Sequence, residues 1–144
     1  MTALGSDHAG YALKQEIIHY FKNNNINFTD FGCYSPESDD YPIYARKVCE
    51  AVLSGQYEKG ILVCGMGNGM TIAANRYNGI RAALCNSIPA AIAARDHNDA
   101  NILVMGEQAV GLELGLDILK TFLETKFSYA EKHVRRLSMI DGLA

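Results

Sequence analysis

The chain has no tryptophan, only three prolines in 144 residues, and fewer Lys and Arg (13) than Asp and Glu (16). Each shortage narrows what the protein can be. With a formal net charge of -3 and a pI near 5.8, the surface lacks the clustered positive charge that neutralises a nucleic-acid backbone, and no nucleic-acid partner is expected. No apolar run approaches the roughly 20 residues of a membrane span, and the N-terminus passes straight into a strand-like segment without a charged, apolar leader. A cytoplasmic protein with no membrane partner is the expectation. Cys33, Cys49, Cys64 and Cys85 form no C-x-x-C pair, and no H-x-x-x-H pair occurs. Free thiols in a reducing compartment follow, with no metal and no other cofactor expected.

What is present is the composition of an ordinary globular chain, 49% hydrophobic and 20% charged, long enough to enclose one core as a single domain over residues 1–144. Short aliphatic runs alternate five times with segments of helical period, the pattern of parallel strands covered on both faces by the helices that connect them. Strands are predicted at 2–5, 27–31, 60–64, 81–85 and 101–105. Helices are predicted at about 9–23, from Tyr41-Pro42 to the Ser54-Gly55 stop, then at 70–75, 89–97 and 110–124, with a separate C-terminal helix at about 129–140. In the long helix Val110, Leu114, Ile118 and Phe122 recur at four-residue intervals as an apolar stripe. Right-handed crossovers turn this order into an α/β fold with a doubly wound, five-stranded parallel sheet, helices on both faces and an extra C-terminal helix.

Sheets of this kind bind ligands beyond the C-terminal ends of their strands. That rule gathers Ser6-Asp7-His8, residues 32–41, Cys64 to Gly69, Asn86 and Gly106-Glu107-Gln108 at one edge. The loop Cys64-Gly65-Met66-Gly67-Asn68-Gly69 joins the third strand to its helix. Alternate glycines let its backbone turn with amides exposed, and the helix behind adds a positive dipole end, so an anion or a developing oxyanion would be stabilised there. A tight turn and nothing more is the competing reading. The pattern is neither G-x-x-x-x-G-K-[ST] nor G-x-G-x-x-G, which weakens nucleotide binding.

Cys64 stands where amide dipoles favour a thiolate, as a base or nucleophile, or else is a small buried hydrophobe, the reading that suits Cys49, Cys33 and Cys85. His8 and His97 lie at element ends beside Asp7 and Asn98-Asp99, placed for proton transfer or for capping. His19 reads as an exposed helix residue. Within Lys132-His133-Val134-Arg135-Arg136, Lys132 and Arg136 share a helical face with His133 alongside, which makes a phosphate clamp or a solvated basic face.

Taken in order, Gly5-Ser6-Asp7-His8-Ala9-Gly10-Tyr11, Asp40-Tyr41-Pro42, Cys64-Gly65-x-Gly67-x-Gly69 with Ile72-Ala73-Ala74-Asn75, and His97-Asn98-Asp99-Ala100-Asn101 resemble the type B ribose-5-phosphate isomerases over nearly the whole chain. The wider family includes allose- and galactose-phosphate isomerases. The resemblance implies a Rossmann-like homodimer whose active sites combine residues of two subunits, and it allows a dimer of dimers. It implies a metal-independent aldose–ketose isomerisation through an enediolate.

By the same likeness Cys64 would move the proton between C1 and C2, while the amides from Gly65 through Met66, Gly67 and Asn68 to Gly69 stabilise the enediolate oxygen. His97, supported by Asp7, would help open the furanose ring. Tyr41 and Asn98 would orient sugar hydroxyls, and His8 and Arg136 would hold the phosphate. Met66 stands where the family usually has Thr or Ser, Gln108 where a phosphate-binding Arg is common, and Lys132 where another Arg is common. Ribose 5-phosphate and ribulose 5-phosphate are the expected pair. An isomerase of a six-carbon sugar phosphate, and a non-catalytic module that binds phosphate or nucleotide, are the alternatives.

Overall fold

The computed structural model describes residues 1–143. Strand β1 (Thr2–Ser6) leads through a single 3-10 turn (His8–Gly10) into α1 (Tyr11–Asn23), followed by β2 (Phe28–Asp30) and α2 (Tyr41–Leu53). Then come β3 (Lys59–Cys64), α3 (Asn68–Ala74), β4 (Ala82–Leu84), α4 (Ile88–Asp96), β5 (Ile102–Gly106), α5 (Glu107–Glu124) and α6 (Glu131–Asp141). All strand pairs are parallel, in the order β2-β1-β3-β5-β4, which makes the sheet Rossmann-like and α/β.

Strand period explains how one sheet supports two cores. Along β3, Ile61 and Val63 pack with α1 and α5 residues such as Leu13, Ile17, Ile118 and Phe122. Leu62 and Cys64 point the other way, into the layer of Val48, Cys49 and Met70 from α2 and α3. Side chains two apart share a face, so a run that is aliphatic at every position needs helices on both sides. All of these side chains except Cys64 are fully buried, and each large one contributes about 1.5–3 kcal/mol by leaving water.

The α5 stripe differs from the four-residue spacing. Gly111 has φ 71°, which interrupts the helix, and beyond it the buried positions are Gly115, Ile118, Leu119 and Phe122 while Leu114 is exposed. The break rotates the face that meets the sheet, and a Cβ at residue 115 would press on both methyls of Leu13.

A buried ion pair ties α1 to the end of β2. Lys14 is fully buried, with Nζ 2.8 and 2.7 Å from the two oxygens of Asp30, and Asp30 Oδ1 also accepts from the Gly32 amide at 2.8 Å. The bidentate contact offsets the desolvation of both charges. It fixes where the segment after β2 leaves the sheet.

Candidate active site

The centre of the site follows from sheet register. Cys64 is the last residue of β3, paired with Gly106 of β5 on one side, while β1 on the other side ends one residue short, with Ser6 opposite Val63. The chain after β1 is capped at once: Asp7 Oδ1 accepts from the amides of Ala9 and Gly10 at 3.0 and 3.1 Å. Asp7 is thereby held, 5% exposed, next to the strand end that carries Cys64.

The glycine loop proves tighter than its six residues suggested. Its turn is Gly65 to Gly67, and α3 already begins at Asn68, so Asn68 and Gly69 are helical. Gly67 has φ 88°, a conformation that costs other residues about 1–2 kcal/mol. Its amide reaches back to Cys64 Sγ at 3.2 Å. Gly69 has no room for a Cβ because the ring of Tyr41 lies on it. Tyr41 opens α2, so the second crossover covers the start of the third.

The electrostatics of Cys64 correct the thiolate expectation. Burial pushes its thiol above the ordinary value, the amides of Met70, Gly67 and Met66 pull it down, and the Asp7 carboxylate adds to the rise. Desolvation outweighs the amide dipoles, and the resting group is a thiol. Cys49 and Cys85, lacking those amides, are pushed by burial to about 12 and about 11.

Other expected residues gather here too. The Gln108 amide donates to the Gly65 carbonyl at 3.0 Å, and its side chain lies within van der Waals reach of where a Gly65 Cβ would stand. His8 Nδ1 is 4.0 Å from Asp7 Oδ2 and accepts from the Asp39 amide at 3.1 Å. Met66 packs its backbone on Gly106 and leaves its side chain 52% exposed. The residue thus faces Cys64 through its amide. Asp39 lies within the gathered residues 32–41 without having been singled out, and Tyr44 escaped the sequence; the two are joined by a hydrogen bond across a spacing that matches no helical or strand period.

His97, Asn98, Lys132 and Arg136 lie elsewhere. Helix α4 runs back from the C-terminal edge of the sheet, and His97 caps its far end shortly before β5 begins. At roughly 3.3 Å per residue, the length of β5 puts about 15 Å between His97 and the Cys64 edge. Asp7 therefore cannot support His97 within one chain. His97 instead stacks on His133 of α6, centroids 4.6 Å apart at 17°, with Nε2 3.4 Å from Asp96. Desolvation, then the charges of His97, Lys132 and Arg136, lower the pKa of His133. Lys132 and Arg136 are exposed beside this pair. The described residues thus form two separate clusters, one of Cys64, Asp7, His8 and the turn amides at one edge and a basic, histidine-bearing one at the other.

A family model described as Ribose/Galactose Isomerase matches residues 2–140. The chain belongs to that family. Ribose-5-phosphate isomerase B of Escherichia coli is 40% identical over 98% of this chain and 94% of its own. The solved ribose-5-phosphate isomerase B of Clostridium thermocellum superposes with a TM-score of 0.96 at 46% identity, covering 99% of this chain and 95% of that one. A 4-deoxy-4-sulfo-D-erythrose isomerase of a Clostridium species is 41% identical over 87% of this chain and 79% of its own. Family membership makes the protein a sugar-phosphate isomerase of the type B class. No helix among the described residues is long and apolar enough to cross a membrane.

Proposed function

We propose that the protein interconverts ribose 5-phosphate and ribulose 5-phosphate through an enediolate, with Cys64 as the proton-transfer base. The carrying observation is the Gly67 amide on Cys64 Sγ at 3.2 Å: the same turn that receives the base offers amides to an oxygen bonded to the neighbouring carbon. Once ionised, the thiolate takes the C2 proton of the open-chain aldose, the O2 hydroxyl proton passes to O1 within the enediolate, and the thiol returns its proton to C1 as the C2 carbonyl forms, while the turn from Gly65 to Gly69 stabilises the negative oxygen. A base whose pKa is raised by burial is stronger when it forms, which suits a weakly acidic C–H bond.

The complete site takes its basic half from a second copy. None of the residues at the Cys64 edge, 6–8, 32–41, 64–69, 86 and 106–108, is Lys or Arg, so the charge of a phosphate needs Lys132 and Arg136 brought from elsewhere. A homodimer joining opposite edges supplies them together with His97 for ring opening and Asn98 for a sugar hydroxyl, opposite Tyr41, His8 and Gln108. Ile72 on α3 and Ile92 on α4, 62% and 43% exposed, are apolar surface suited to such a contact.

A second reading, a sugar with a different length or anionic tail, rests on Gln108, whose neutral amide stands beside Gly65. A substrate panel tests both readings: ribose 5-phosphate, allose 6-phosphate, galactose 6-phosphate and 4-deoxy-4-sulfo-D-erythrose, each with wild type and Cys64→Ala. Turnover of ribose 5-phosphate highest in the panel, and lost in a folded Cys64→Ala, is expected. Full activity in that variant removes Cys64 as the base, and higher turnover of another sugar moves the substrate assignment.

A further inference from the structure

Tyr44, in the first turn of α2, is 8% exposed and its hydroxyl donates to Asp39 Oδ2. Asp39 Oδ1 accepts from the Asp40 amide at 2.7 Å. Both oxygens of this carboxylate are occupied, which pins residue 39 although its side chain is otherwise open to solvent. From that fixed position the Asp39 backbone N–H donates to His8 Nδ1 at 3.1 Å.

A neutral imidazole carries one N–H and one lone pair. The nitrogen that accepts from an amide is the one with the lone pair, so the ring proton of His8 resides on Nε2. Nε2 has no partner among the described residues, and Asp7 Oδ2, 4.0 Å from Nδ1, is beyond hydrogen-bond range and does not compete for that nitrogen. The other charged groups around this contact are Asp40 and Lys47, whose ammonium lies 5.4 Å from the Tyr44 ring centroid. The bond to Asp39, followed by burial, raises the Tyr44 pKa to about 12, so the hydroxyl remains a donor through the working pH range. Two residues past Asp39, the chain sets the Tyr41 ring on Gly69.

We propose that Tyr44 and Asp39 are positioning residues that hold His8 as its Nε2–H tautomer, presenting a hydrogen-bond donor to the anionic end of the substrate. The substrate role rests on the reading of His8 as a ligand for that anion; the tautomer does not. Without the lock, His8 samples the Nδ1–H form and turns a lone pair toward the anion. The hydrogen bond to the anionic end is made equally in the ground and transition states, so its loss falls on KM.

The test uses the full-length, nitrogen-15-labelled protein without substrate, in wild type, Tyr44→Phe and Asp39→Ala. Long-range proton–nitrogen correlations identify which ring nitrogen of His8 is protonated. Wild type is expected to show Nε2–H alone and both variants a mixture, with KM for ribose 5-phosphate raised about fivefold and kcat changed by less than about twofold, the scale of one hydrogen bond. The exposed Asp39→Ala keeps the test valid if Tyr44→Phe does not fold. A protonated Nδ1 in wild type, an unchanged tautomer in the folded variants, or a fall in kcat at constant KM overturns the proposal. If the wild type turns over no sugar phosphate, the substrate reading fails, while the resonances still decide the tautomer.

Discussion

The amide of Gly67 donates to the thiol of Cys64 at 3.2 Å, closing the turn of the glycine loop onto the residue that starts it. Gly67 takes a left-handed conformation, φ 88°, within the same turn. The geometry of the proposed base and that of the loop are therefore coupled, and changing the loop changes the surroundings of Cys64.

Gly67→Ala tests this coupling. Positive φ and the clash of a new Cβ with Leu84 should destabilise the protein by about 2 kcal/mol. Because the amide moves, kcat should fall by much more than the fraction of folded protein lost. Thermal denaturation and kinetics on the same sample separate the two effects, and a variant with normal kcat would detach the turn from catalysis.

The raised pKa of Cys64 fixes the sign of the pH response. The proposed base is the thiolate, the minority form at neutral pH, and its population grows tenfold per pH unit below the pKa. A plot of log kcat/KM against pH should therefore climb with a slope near one through the neutral range and level off only on the alkaline side. A plateau already established at pH 6 would show a thiolate in the resting enzyme and contradict the dominance of burial.

The proposed sharing of the site between copies predicts complementation. Cys64→Ala and His97→Ala are each expected to be nearly inactive as purified proteins. Unfolding and refolding an equal mixture yields mixed dimers with one intact site of two, returning about a quarter of wild-type activity. Recovery of none, with dimers confirmed by mass, would place both residues in one chain's site.

The Lys14–Asp30 pair predicts an asymmetry. Asp30→Ala leaves a buried ammonium without its partner and should cost about 3–5 kcal/mol, whereas Lys14→Met, which replaces the charge with apolar volume, should cost clearly less. Urea denaturation of both decides it. Equal losses would indicate that packing of the Lys14 stem, rather than its charge, holds α1 to β2.

Much of the fold was legible because its period and punctuation are local. The aliphatic runs around Ile61 to Val63 and Ile102 to Met105 could be buried only by helices on both faces, and Pro42 and Pro89 fall in the first turns of α2 and α4 as expected. Leu114 misled the reading of α5 because a four-residue interval presumes an unbroken helix, and Gly111 breaks it. Cys64 was singled out by its position, but the sequence could not weigh its ionisation, since the desolvation that governs it depends on α2, α3 and β5 closing around the strand end.

By itself, the sequence determined the five βα alternations, the glycine turn after β3 and the residues available for acid–base chemistry, because each is written in neighbours along the chain. The strand-end rule already gathers Asp7 and Cys64 at one edge, and tertiary structure alone decided that His97 stacks with His133 at the opposite one. It also brought the Asp39 amide onto His8 and the Tyr44 hydroxyl onto Asp39. The physical reason is direction: a parallel crossover returns the chain to the other end of the sheet, so residues at adjacent element ends are separated by a strand length, and residues distant in sequence become neighbours.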